Sequence, residues 1–210
     1  HEPFRDPRLS TLRMQFRMGE CLCDVLNVTA YDGLLRTHPL ARNRGIRLAE
    51  SSPGQAAELV VVDTSALAGR CWDDPEPGSW SRWNPTSGLV AATVGAALAD
   101  TGCEAVAMIS PYRAQVRWLS TLADELSGVT ASTIHRMQGG EADAVVLALV
   151  DAWPRSGPSV LTGGDRELAE RLLTVAVSRA RGKLVVVLDR EFLHARTPAD
   201  NPVRMLVDTV

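Results

Sequence analysis

Residues 129–150 read VTASTIHRMQGGEADAVVLALV. Two β-branched runs, VTASTI and AVVLALV, flank the polar segment HRMQGGEAD, so the pattern is strand, loop, strand. Both runs are too continuously apolar to alternate in and out, as expected of strands covered on both faces of a parallel sheet. A parallel sheet presents its functional loops at the carboxyl ends of its strands, and residues 135–141 would form one of them. Gly139 and Gly140 permit positive φ and a close approach of backbone to a ligand, and the polar Gln138 and Glu141 flank them. The same pattern also describes a plain strand–turn–strand with a solvated loop, so the rest of the chain has to decide.

Working outward, residues 105–109 form the preceding strand. Ser110 and Pro111 lead into a helix over 112–126, with Val116, Leu119, Leu122, Ala123 and Leu126 as its apolar stripe. Thr86 or Ser87 caps an earlier helix that runs to Asp100, with Gly102 past its end. Leu59–Asp63 (LVVVD) is a further buried strand. Downstream, 153–164 is a loop, 166–181 a helix stopped by Gly182, and 184–189 (LVVVLD) the last core strand. A tail over 190–210 has room for a short helix. Near the start, Met18, Leu22, Val25 and Thr29 recur at helical spacing, and Asp32-Gly33 ends that element. Residues 34–58, punctuated by Arg, Pro and Gly, read as loop. Residues 71–84 (CWDDPEPGSWSRWN) are irregular; Trp72, Trp80 and Trp83 crowd there as a local lid packed onto the body, or as a base-stacking platform. Strands alternating with helices imply an α/β fold with a mostly parallel sheet and helices on both faces. One domain is expected: a leading segment to about residue 58, a sheet core over 59–189, and a tail.

The chain has 210 residues, 45% of them hydrophobic, enough for one sizeable core. A net charge of −3 gives no bulk signature of nucleic-acid binding, which would need a local patch. Cys21, Cys23, Cys71 and Cys103 show no paired metal spacing, so no metal site is expected and reduced thiols in a cytoplasmic protein are. No run approaches the 18 apolar residues of a membrane span. The abrupt opening HEPFRDPRL is consistent with a piece cut from a longer protein.

Two arginines sit oddly. Arg179 follows Val175 and Leu172 at helical spacing, which places it at the carboxyl end of an apolar stripe. That position suits pairing with a helix C-terminus or recognition of an anion by a rigid fork. Arg17 lies between apolar neighbours in QFRM. Ser110 and Tyr112, in SPYRAQ, stand where a strand end meets a helix N-terminus, an arrangement that suits a phosphate.

Taken in order, QFRM, SPYRAQ, STIHRMQGGEADAVVLALV and LLTVAVSRARGKLVVVLD resemble the motifs of superfamily 1 helicases, in the branch of the nonsense-mediated-decay and senataxin-type enzymes. The stretch that resembles them, roughly residues 9–189, is similar to their second, C-terminal RecA-like domain, a P-loop-NTPase-like fold. The resemblance implies an ATP-dependent helicase in which this half supplies arginine fingers, Arg17 and Arg179, worth about 10³–10⁵ in rate. It implies that Glu141 holds the nucleotide ribose, with Gln138 and Gly139 shaping that loop, and that Ser110, Tyr112, Thr133 and His135 touch the backbone of single-stranded DNA or RNA. Ser110 replaces the usual threonine, Thr174 a common asparagine, and Ser87-Gly88 a glutamate–alanine pair. No G-x-x-x-x-G-K-[ST] occurs, and neither Asp63 nor Asp189 is followed by glutamate. ATP and Mg²⁺ are therefore expected only in an intact parent, held by an N-terminal RecA-like partner, with no ATPase from these residues alone. A degenerate module binding nucleic acid or a protein is the rival reading. A stand-alone nucleotide-binding enzyme would lack its glycine-rich first turn.

Overall fold

The computed structural model describes residues 12–155, 157 and 159–210; residues 1–11 of the expected leading segment lie outside them. Five strands form one sheet in the order β3-β9-β8-β6-β7, every neighbouring pair parallel. They are β3 (Leu59–Asp63), β6 (Val106–Ser110), β7 (Val129–Thr133), β8 (Ala142–Ala148) and β9 (Ala180–Leu188). Two small ribbons accompany it: β1 (Met14–Gln15) with β2 (Arg36–Thr37), and the hairpin β4 (Trp72–Asp73) with β5 (Arg82–Trp83).

Side chains of successive strand residues point to opposite faces, and two cores result. Ala107, Ile109, Val145, Leu147, Leu184 and Val186 face a core shared with α1 (Glu20–Leu26), α5 (Arg166–Val177), α6 (Arg190–Arg196) and α7 (Pro202–Val207). Val106, Met108, Ala144, Val146, Val185 and Val187 face one shared with α2 (Pro39–Ala49), α3 (Pro85–Asp100) and α4 (Arg113–Ala123). The sheet is therefore covered on both faces, which is why its central strands lack polar alternation. No described helix is long and apolar enough to cross a membrane.

Several local expectations are corrected. Residues 34–58 contain α2, whose buried positions are Ala41, Gly45, Leu48 and Ala49. A face of small residues leaves little apolar signal to read. Its reason is contact: a Cβ on Gly182 of β9 would stand 2.7 Å from Leu48 Cβ and 3.0 Å from Gly45 Cα. The carboxyl end of α2 is held by the lone lysine. Fully buried Lys183 donates from Nζ to the carbonyls of Ala49, Ser51 and Gly54 at 2.9, 2.8 and 2.6 Å, and burial lowers its pKa. The cap of α3 is Asn84, which accepts from Ser87 N at 3.1 Å, rather than Thr86 or Ser87. The helix expected over 166–181 ends at Val177 with Ser178 as C-cap. Strand β9 begins at Ala180, so Gly182 lies within a strand. Trp83 does pack, edge-on to Trp118 with centroids 6.5 Å apart, but Trp80 is 93% exposed, so the three tryptophans do not form a closed lid.

Candidate nucleotide-facing cleft and strand surface

The amino ends of the strands carry a charged cluster. Ala142 N donates to Arg179 O at 3.0 Å, and Gly19 N donates to Arg181 O at 3.0 Å. These two main-chain bonds set the segments bearing Arg17, Arg179 and Glu141 side by side. Between β8 and β9 the register slips by one residue: Ala142 faces Ala180, while Ala144 faces Lys183. Arg181 and Gly182 thus oppose the single residue Asp143, a bulge of the kind that re-aims a side chain.

The QFRM turn is folded on its own glutamine. Gln15 Oε1 accepts from the amides of Arg17 and Met18, both at 2.8 Å, and Gln15 Nε2 donates to Met18 O and Thr37 Oγ1, both at 2.9 Å. Arg44 of α2 clamps the same turn from outside, donating to the carbonyls of Phe16 and Arg17 at 2.9 and 2.7 Å. Arg17 so held donates from Nε to Glu141 Oε2 at 2.9 Å and from Nη1 to Ser178 O at 3.1 Å. Arg181 takes the other carboxylate oxygen of Glu141 and reaches Asp143 Oδ1 at 3.2 Å. Asp143 is anchored in turn by the amides of Glu104 and Ala105 at 3.0 and 3.3 Å. The Arg181 guanidinium first, with Arg17 beside it, holds Glu141 below the usual carboxylate range.

Arg179 differs from its neighbours. It donates to Val175 O, Gly140 O and Ser178 Oγ at 3.1, 3.1 and 2.9 Å, all neutral acceptors. Burial, then the charge of Arg17, lowers its pKa. Thr174, at the position of the missing asparagine, contributes none of these bonds. Arg17, Arg179 and Glu141 line one open cleft of about 550 Å³ together with Gln15, Phe16 and Tyr31. A concave site with two guanidiniums and one carboxylate suits a ligand carrying phosphate and hydroxyl groups.

Residues 135–141 do not lie at one carboxyl end, as the sequence suggested. They descend as turns from the end of β7 to the start of β8, because β8 lies on the far side of β6 from β7. Glu141 therefore reaches the amino edge, while His135 stays near the carboxyl edge. Gln138 and exposed Gly139, at φ +90, lie between them on this connection. The two residue sets are separated by the length of a five-residue strand, about 16 Å, rather than being close neighbours.

At the carboxyl edge, Ser110 is fully buried and its hydroxyl donates to Ala148 O at 2.9 Å. It is thus withdrawn from the surface, a correction to its expected contact with a strand. Thr133 is half-buried and accepts from Arg136 N at 3.2 Å. His135 is exposed. Tyr112 caps the start of α4; its hydroxyl accepts from Val160 N at 3.3 Å, and its ring lies 5.6 Å from the Arg82 guanidinium. Burial raises the pKa of the Tyr112 phenol. Sequence reasoning missed the roles of Gln15, Arg181 and Asp143, although QFRM, SRAR and GEAD contained them. Arg44, in a stretch read as loop, carried no signal.

The five-stranded parallel sheet with helices on both faces is that of a RecA-like α/β domain. The chain matches the model of the AAA domain family over residues 5–191 and belongs to that family, of the superfamily 1 helicase C-terminal type. It is 39% identical over 92 residues to the DNA polymerase alpha-associated DNA helicase A of Saccharomyces cerevisiae, a match covering 42% of this chain and 13% of that protein. A solved PRRSV helicase is similar at 16% identity and a TM-score of 0.39, over 90% of this chain and 25% of that one. An arterivirus nonstructural protein 10 helicase solved with DNA gives 15%, 0.38, 90% and 28%. The chain thus spans a small part of the length of each.

Proposed function

We propose that this domain is the second RecA-like half of an ATP-dependent nucleic-acid helicase or translocase, completing an ATP site on a partner domain that carries the phosphate cradle. The observation that carries the reading is the convergence of Arg17, Glu141 and Arg179, far apart in sequence, on one cleft with a bulged strand beneath it. Arg17 and Arg179 serve the γ-phosphate. Phosphoryl transfer is mostly positioning and charge stabilisation, and Arg179 has no carboxylate to surrender before it meets an oxyanion. Glu141 accepts from the ribose hydroxyls, and Arg17 leaves Glu141 for phosphate as the partner closes. Arg181, braced by Asp143, keeps the carboxylate in place during that exchange. Mg²⁺ would neutralise the β- and γ-phosphates, but the cleft's own carboxylates are committed to arginines, so its ligands belong to the partner. Single-stranded DNA or RNA runs along the carboxyl edge past Tyr112, Thr133 and His135, read by its backbone and not by its bases.

The test is made on a chain that joins this domain to its partner. Arg179→Ala should cut strand-stimulated ATP turnover by about 10³-fold or more while affinity for a non-hydrolysable analogue changes far less. Combining it with Arg17→Ala should give less than the product of the two losses, since both act on one phosphate. Full turnover by Arg179→Ala would refute the assignment.

A further inference from the structure

The β4–β5 hairpin has two dissimilar faces. Toward α4, Ser81 Oγ accepts from Ala114 N at 2.9 Å, Trp83 packs on Trp118, and Asp74 takes Arg117 at 2.6 Å. On the other side, Arg82 lies over Tyr112 at the start of α4, donates to Gly157 O at 3.1 Å and stands 3.8 Å from Asp151, and Asp73 is paired with Arg155. Trp80 stands two residues before β5, in the connection that joins β4 to β5. It is 93% exposed, the most open of the aromatic rings that the structure describes. Such a ring is not holding the fold together, yet the backbone beneath it is pinned by Ser81 to the start of α4 and by Asn84 to the carbonyl of Val150 at 3.3 Å. A rigid platform presents a ring to solvent.

Its surroundings say what the ring meets. The hairpin stands over the carboxyl ends of β6 and β8, beside Tyr112 and on the edge that carries Thr133 and His135. Asp73 is paired with Arg155, and Asp74 and Glu76 share Arg117, Glu76 at 3.7 Å. Arg113 and Arg136 are exposed on the same edge. An open aromatic ring on an edge that also exposes guanidiniums is the kind of surface that single-stranded nucleic acid uses, base on ring and phosphate on cation.

We infer that Trp80 is a base-stacking residue of the strand surface, which gives the domain a contact to the bases beside the backbone contacts already proposed. The inference rests on the strand-binding reading above, and its test separates the two. Short labelled strands of mixed sequence are titrated against the protein, Trp80→Ala and Trp80→Phe, each strand with and without abasic sites. On intact strands Trp80→Ala should weaken binding by about 5- to 150-fold, the ratio that about 1–3 kcal/mol of stacking represents, and Trp80→Phe should stay within a few-fold of the unaltered protein. On abasic strands the unaltered protein should lose the same factor, and Trp80→Ala should lose nothing more. Equal binding by Trp80→Ala and the unaltered protein on intact strands overturns the stacking role and leaves the backbone surface standing. An unaltered protein that binds no strand overturns both.

Discussion

The contact between Gly182, Gly45 and Leu48 makes a sharp prediction for Gly182→Ala. A Cβ there would lie 2.7 Å from Leu48 Cβ, 2.9 Å from Leu48 Cδ1 and 3.0 Å from Gly45 Cα. Carbon atoms prefer about 3.5–4.0 Å, so α2 and β9 must part by roughly 1 Å. Neither Leu48 Cβ nor Gly45 Cα can rotate away, because both are fixed to the backbone of α2. Overpacking of this kind costs about 1–3 kcal/mol, and replacing glycine within a strand returns about 0.5–1 kcal/mol of backbone entropy. The two ranges net to about 0–2.5 kcal/mol, centred a little above 1 kcal/mol of destabilisation. In a domain of this size 1 kcal/mol lowers Tm by about 2–4 °C and moves the urea midpoint down at constant slope. The damage should travel. α2 carries Arg44, the clamp on the Phe16 and Arg17 carbonyls, so hydrogen exchange at the Arg17 and Met18 amides should quicken while Arg179, held by α5, keeps its protection. An unchanged or raised urea midpoint would refute the close-packing argument.

Two further outcomes follow from the site and its supports. Glu141 has a folded pKa below its unfolded value, so its contribution is present above about pH 4.3 and is lost as pH falls through the folded value; acid titration of stability should therefore be flatter for Glu141→Gln than for the unaltered chain. Asn84→Ala removes the cap of α3 and strands the Val150 carbonyl; urea unfolding should show a loss of about 2–3 kcal/mol, from about 1 for the cap and 1–2 for the orphaned acceptor, with Asn84→Asp in between.

Much of the fold was legible because strand burial writes itself into composition. LVVVD, VAMIS, ADAVVLA and the run ending in LVVVL are apolar without alternation since both their faces are covered, and each was recognised to within a few residues. α2 was not legible, because it packs glycine against glycine and leaves no apolar stripe. The end of α5 was misread for a related reason. The pattern of Leu172, Val175 and Arg179 continues a helical period into the turn at Ser178 and Arg179 that leads to β9, and periodicity cannot see that turn. Ser110 was assigned to a surface from its place at a strand end, but its hydroxyl faces inward to Ala148 O, a direction that sequence does not carry.

By itself the sequence determined a doubly covered parallel sheet, the order of the four motifs, and the residue types an anion site needs. These are local properties, set by hydrophobic period and side-chain chemistry. Tertiary structure decided where those residues meet. Only the crossing of 134–141 beneath the sheet carries Glu141 to the amino edge while His135 stays near the other. Only the slip of register opposite Asp143 aims Arg181 at Glu141, and only the glycine contacts of α2 bring Arg44 onto the turn of Arg17. Each is a relation between backbones distant in sequence, fixed by close packing and main-chain hydrogen bonding, and one strand's composition holds no record of the register its neighbour adopts.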